Sequence, residues 1–292
     1  MNVYQKVTDC IIEMLQAGVC PWKKTWKSKN QLAINYESRK PYSLLNQFLL
    51  GKSGEYLTFT QIRKLGGHIR KGAKAKFVVF FKFIYKDENG NNIKENDISR
   101  EDIDKIQRIP YLTYYNVYHL SDCEGIESKI VLEPTTLSDD DKVLTAEIAF
   151  ENYVRQSGVK FNDDGSMACY KINQDTICVP NITLFDDVNE YYSTLFHECI
   201  HSTGHESRLN RKMTAWTSRE SYDYSKEELV AEIGNVMLLS EFGLDSKSVT
   251  ENSAGYIDGW IKALKSDERM IVVASSQAEK AAKYFLGETS AS

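Results

Sequence analysis

The sequence predicts an α+β protein of two domains. An N-terminal α+β unit spans residues 1–125, a linker follows over 126–138, and a mainly helical unit with a small sheet spans 139–292. Three observations lead there. The 292 residues, 42% apolar and 26% charged, have the composition of a globular chain long enough for two cores. The net charge of −5 is divided unevenly: residues 1–86 hold 16 Lys+Arg and 4 Asp+Glu, a balance of +12, leaving −17 for the rest. The long aromatic, strand-like runs fall before residue 125, whereas helical periodicity dominates after it. Such an asymmetry points to a polyanion partner for the basic half.

Val3, Val7, Ile11, Met14 and Leu15 mark an amphipathic helix over residues 2–18. The segment CPWKKTWK follows, where Pro21 keeps its predecessor out of the helical region. Trp22 and Trp26 alternate there with Lys23, Lys24 and Lys27, giving flat faces for unpaired bases beside cations for phosphates. The alternative is that both indoles anchor the loop to the core, tryptophan being usually well buried. A turn then leads into the apolar run 44–50, with Arg39, Lys40, Tyr42 and Asn46 placed to touch a nucleic-acid backbone or base.

Residues 58–72 read as a short helix stopped at Gly66-Gly67, then a basic turn with Arg70 and Lys71, followed by Lys74. Residues 77–85 are almost continuously apolar and aromatic, which predicts a buried strand. Residues 111–120 predict a second strand, and the polar residues 86–109 a protruding excursion between them. His68 and His119 are isolated and read as structural or surface residues. Asp139, Asp140 and Asp141 open a helix, acids being favourable at a helix N-terminus. Residues 169–172 and 176–180 predict a hairpin around Asn173-Gln174-Asp175, and residues 254–264 and 271–286 two closing helices.

Three of the five histidines fall in HECIHSTGH, residues 197–205. On a helix, His197 and His201 present both imidazoles on one face, as two ligands of one tetrahedral zinc ion require. Glu198 sits where its carboxylate takes a proton from an attacking water without itself binding the metal. The bland alternative is a pair of buried histidines satisfied by hydrogen bonds. An apolar or small stripe of Tyr192, Leu195, Phe196, Cys199 and Thr203 supports the helix, and Gly204 is its expected left-handed stop. His205 is about 12 Å further along such a helix, too far for the same ion. Ser207 stands where a metzincin has its third histidine.

Gluzincins take their third ligand, a glutamate, from a second helix, and in some an acidic residue one turn on supports a ligand histidine. Glu228 as ligand and Glu232 as support resemble that scheme. Ser225 and Glu228 also spell a capping box; if Glu228 caps, Glu232 becomes the ligand. The arrangement is that of a gluzincin-like zinc metallopeptidase. The predicted hairpin is the natural strand edge to hold its extended substrate. The six cysteines are scattered without a CxxC pair. No basic n-region precedes an apolar core, and no run reaches about 18 apolar residues. The chain reads as cytoplasmic, with reduced thiols and no membrane partner.

With its motifs assembled, the chain resembles the ArdC-type antirestriction proteins of conjugative plasmids and integrative elements over nearly its full length. The matching stretches are PWKKTW, RKPYSLLN, YLTFTQIRKLGGHIRKG, VVFF, NVYHL, YYSTLFHECIHSTGHESRLNR, EELVAEIGNVML and the C-terminal AGYIDGWIKALKSDERMIVVASSQAEKAAKYF. The resemblance implies an N-terminal single-stranded-DNA-binding domain and a C-terminal zincin-like metallopeptidase domain. It also implies protection of incoming DNA from host restriction during conjugation, with a host restriction protein or another protein as substrate or target. Two further readings stay open. One is a DNA-binding module whose zinc site is only structural, which Glu198 speaks against. The other is a cytoplasmic zinc peptidase unrelated to DNA, which the charge division speaks against.

Overall fold

The computed structural model describes residues 2–23, 32–94, 106–130, 138–211, 222–244 and 254–288. Lys24 and Trp26 lie outside the described residues, as do 131–137 of the linker and 95–105 of the excursion. Helix α1 (Val3–Gln16) starts where the Asn2 side chain accepts a hydrogen bond from the Gln5 N–H, and it buries Val7, Ile11 and Leu15. A 3-10 turn over Pro21–Lys23 follows. Next come β1 (Ala33–Asn35), α2 (Leu44–Leu50), β2 (Gly54–Thr58) and α3 (Phe59–Lys64). A capping box between Thr58 and Gln61 starts α3. Gly66, with φ +78°, follows it, as the glycine pair anticipates.

Strand β3 (His68–Ile69) leads to β4 (Lys76–Lys86), β5 (Asn92–Ile93), β6 (Gln107–His119) and β7 (Cys123–Glu124). A five-stranded sheet has the order β1-β2-β6-β4-β5, with β1 and β2 parallel and the other pairings antiparallel. The β4–β6 ladder runs unbroken from Lys76 opposite Val117 to Lys86 opposite Gln107. The second half contains α4 (Asp139–Ser157), β8 (Lys160–Asn162), β9 (Asp164–Lys171), β10 (Thr176–Pro180), α5 (Val188–Thr203), α6 (Tyr222–Phe242), α7 (Ala254–Ser266) and α8 (Met270–Phe285). Its small sheet, ordered β8-β10-β9, leaves β9 at an edge. The expected hairpin is the antiparallel β9–β10 pair, with Cys169 opposite Cys178.

Two expectations need correction. Residues 77–85 form a strand, but only its inner part is buried. Val78 and Val79 are covered, whereas Phe81, Phe83 and Ile84 are exposed. The cause is topological. Beyond Thr58, opposite Val117, no β2 residue pairs with β6, so the outer ribbon stands beyond the rest of the sheet. Gly204 ends α5 in a right-handed conformation, φ −78°, with its N–H bonded to the His201 carbonyl at 2.9 Å.

Hydrophobic packing unites the two halves. Val7, Ile11, Leu15, Trp22, Leu45, Phe48 and Leu49 belong to the same buried cluster as the apolar faces of α4 to α8. Trp22 lies edge-on to Trp260 of α7 at 5.3 Å and against Phe48 of α2 at 6.2 Å. Trp22 has no solvent exposure. The loop-anchor alternative therefore holds for this residue, and it offers no face to a base. Trp22→Ala is expected to cost about 3–5 kcal/mol, the usual loss for deleting a buried aromatic side chain. Urea unfolding of the full chain measures it, and an unchanged midpoint would contradict the packing.

Candidate metal centre

Helix α5 buries Tyr192, Leu195, Phe196, Cys199 and Thr203, the stripe expected from sequence, together with Ile200. Helix α6 packs on it unusually closely at one point. A Cβ on Gly234 would meet the Ile200 side chain at 2.9 Å, nearer than van der Waals contact permits. Asn235 adds a buried hydrogen bond to Ser193 at 3.1 Å. This approach lets a carboxylate from α6 reach imidazoles on α5.

Three side chains meet there: His197, His201 and Glu228. Among the described residues they are the His, Cys, Asp or Glu group whose donor atoms all lie within 4.8 Å of one another. The two Nε2 atoms are 3.1 Å apart. Glu228 Oε2 is 3.6 Å from His197 Nε2, and Oε1 is 3.5 Å from His201 Nε2. Bonds of about 2.0–2.2 Å to a tetrahedral zinc ion would space donor atoms about 3.3–3.6 Å apart. The donor set and its spacing therefore suit such an ion. Helix α6 is already helical at Tyr222, so Ser225 lies inside it and the alternative capping box does not form.

Glu227, which the sequence reading overlooked, completes the surroundings. Its Oε1 is 3.3 Å from His201 Nδ1, and Arg211 grips both of its oxygens at 2.6 and 3.1 Å. Arg211 also donates to Thr203 Oγ1 and to the Ile200 carbonyl, each at 2.7 Å. A carboxylate on the far ring nitrogen fixes the tautomer and orientation of a ligand histidine. Glu227 gives His201 such support. Glu232 acts on His197 through its charge but is not part of the three-residue cluster. The signal for Glu227 was its acidic character beside Glu228. Arg211 had none short of the fold.

The electrostatics favour a cation. Burial pulls the His201 imidazole down, but hydrogen bonds to Glu227 and Glu228 outweigh it and push its pKa up to about 10. Burial would raise Glu228, yet contact with both histidines holds it well below the usual carboxylate range. Glu198 is buried beside the first histidine, and its charge acts on His197, His201 and Cys169 of β9. The edge strand is thus near the same carboxylate. The hairpin is tied to α5 through its turn: Asp175 pairs with Arg208, which also donates to the Ser202 carbonyl at 2.7 Å. Tyr170 donates its hydroxyl to Asp175 at 2.7 Å.

The described residues among those expected to touch DNA are spread over several elements and loops of the N-terminal half. Lys23 belongs to the 3-10 turn. Arg39 pairs with the buried Glu55, which also accepts from Ser128 and the Lys129 N–H. Asn46 is buried, and its amide makes two 2.8 Å bonds to the backbone of Val79. Asn46 is therefore a strut between α2 and β4, a correction to its expected role. Tyr42 is half-buried and accepts from Asn35 at 3.3 Å. Lys40, Arg70, Lys71 and Lys74 are exposed, with Arg70 3.7 Å from Glu124. Among the isolated histidines, His68 meets Glu124 at 2.8 Å, and His119 Nε2 meets the Ser53 carbonyl at 3.0 Å.

Residues 148–277 match the zincin-like metallopeptidase family, and residues 1–118 match the N-terminal domain of anti-restriction factor ArdC. The chain is 27% identical over 300 residues to the uncharacterised protein y4eC of Sinorhizobium fredii, covering 99% of this chain and 93% of that one. It is 29% identical over 298 residues to a DNA primase TraC of Escherichia coli, of which it spans only 20%. Two crystal structures of the antirestriction ArdC protein from the R388 plasmid are similar over 98% of this chain. The metal-free form has 31% identity, a TM-score of 0.70 and 97% coverage of that chain. The Mn(II)-bound form has 32% identity, a TM-score of 0.73 and 98% coverage.

If Glu227 orients His201, Glu227→Ala should weaken divalent-metal binding about 10–100-fold. Chelator competition on the full chain checks this, and wild-type affinity in the variant would remove Glu227 from the centre.

Proposed function

The chain belongs to the ArdC family of antirestriction proteins, and on that premise we propose that it is a DNA-binding zinc metallopeptidase guarding DNA that enters a cell. In this reading the N-terminal half engages single-stranded DNA during conjugation. The C-terminal half cleaves a protein, with a host restriction protein as one substrate class. The observation that carries the peptidase reading is the triangle of His197, His201 and Glu228 with Glu198 buried beside it. A divalent metal suits the centre. We assign it as one zinc ion, held by these three side chains.

A zinc ion there supplies a Lewis acid for a peptide carbonyl and makes water nucleophilic near neutral pH. Glu198 takes the proton from the attacking water and passes it to the leaving amine. Glu227 and Arg211 hold His201 in register, while the edge of β9 offers backbone groups to an extended peptide. The division of residues 1–125 from 139–292 separates these tasks chemically, not by independent packing.

A metal with a purely structural role needs no proton acceptor beside it, and this separates the two readings experimentally. The purified chain should contain about one zinc, abolished by His201→Ala. Glu198→Gln should keep the metal and lower hydrolysis of an unfolded protein substrate by about 10²–10⁴-fold. Unchanged turnover would rule out this proton path, and a wild type without turnover would favour the structural role. For the DNA reading, affinity of the full chain for a single-stranded oligonucleotide should fall steeply with salt. Salt-insensitive or absent binding would count against the basic half as a nucleic-acid surface.

A further inference from the structure

The burial of Trp22 withdraws one of the two rings read from the sequence as a stacking surface, and Trp26 lies outside the described residues. Another part of the fold has exposed rings. Beyond Val78 and Val117, which share a buried cluster with Ala33, Leu50 and Tyr56, the β4–β6 ribbon carries exposed aromatic residues, Tyr111 and Tyr115 among them. In the register of the ladder, Val78 is opposite Tyr115, Phe80 opposite Thr113, and Lys82 opposite Tyr111. Directly opposed residues share a face, as do alternate residues along each strand. One face thus presents Tyr115, Phe80, Lys82 and Tyr111 in succession.

We propose that this face of the outer ribbon, centred on Tyr115 and Tyr111, is a stacking platform for unpaired nucleotides. The proposal rests on the DNA-binding reading above and gives it a location. Phe80 and Tyr115 already form a parallel stack, 4.5 Å between centroids at 11°. Tyr115 is 47% exposed and Tyr111 40%. These two tyrosines lie four residues apart, about 13 Å along the strand, which leaves room for more than one base. Lys82 Nζ is 5.7 and 5.5 Å from the rings of Phe80 and Tyr115, beside the place a stacked nucleotide would bring its phosphate.

Charge complementarity selects this occupant over a protein. Lys76, Lys82 and Lys86 share the face by alternation, and neither strand contains an aspartate or glutamate. Aromatic rings without cations would suit an apolar partner, and cations without rings would suit any polyanion. Together they suit a strand whose bases are free to stack. A paired base keeps its faces inside the duplex and gains nothing from the rings.

The test uses the full chain and fluorescence anisotropy with a labelled oligo-dT strand and a matched duplex, at several salt concentrations. Tyr115→Ala together with Tyr111→Ala should weaken single-strand binding about tenfold or more, with little change for duplex. Tyr115→Phe with Tyr111→Phe should retain binding, because the rings remain. Lys82→Gln should lower the single-strand salt slope by about 0.7. Phe59→Ala, at an aromatic residue exposed on α3, should behave as wild type, and thermal unfolding of each variant checks its fold. A wild type that ignores single strands overturns the DNA reading and the platform together. Wild-type binding that survives the double alanine variant in a folded protein, or that falls equally for duplex, overturns the platform alone.

Discussion

The approach of α6 to α5 is the constraint on which the candidate centre depends. Two imidazoles one turn apart can be supplied by a single helix, but the third donor must come from elsewhere and arrive within a few ångströms. Gly234 against Ile200 permits the approach, and Asn235 with Ser193 fixes it. Glu228 then faces both histidines, and the adjacent Glu227 reaches the far nitrogen of His201. One short stretch of α6 thus supplies both an inner and an outer carboxylate. Arg211 matters because it balances the outer one. A buried carboxylate without a partner would tend to protonate and so lose its hold on the imidazole.

Much of this was legible in the chain. The spacing of His197 and His201, the helical stripe beneath them and the acidic helix downstream are local patterns, and the fold retains each of them. The choice between Glu228 and a cap at Ser225 was not local, since it depends on where α6 begins. Arg211 was invisible because nothing in its neighbourhood indicates which carboxylate it meets across the fold. Long-range pairs of this kind follow from tertiary packing and leave no periodic trace.

The aromatic residues show the opposite failure. Trp22 sits among lysines, and its neighbours suggested exposure; yet the 3-10 turn points the indole inward to Trp260 and Phe48. Phe81, Phe83 and Ile84 sit in an apolar run, and their neighbours suggested burial; yet the ribbon extends beyond the layers that cover its base. Hydrophobic runs report burial only where something lies on both faces of the strand. Here the number and length of neighbouring strands decide, and a single strand's sequence does not contain them.

The common core of α1, α2 and the C-terminal helices bears on how such a gene can change. A recombination event that exchanged one half for that of a distant relative would bring together two apolar surfaces that had not been selected to fit. Substitutions around Trp22, Phe48 and Trp260 are therefore tied to one another across 238 residues of sequence. The unit is inherited whole or repaired by compensating change. This gives a physical reason for similarity to a much longer primase that spans both halves of this chain at once, since neither half would carry its own interior into a new host protein.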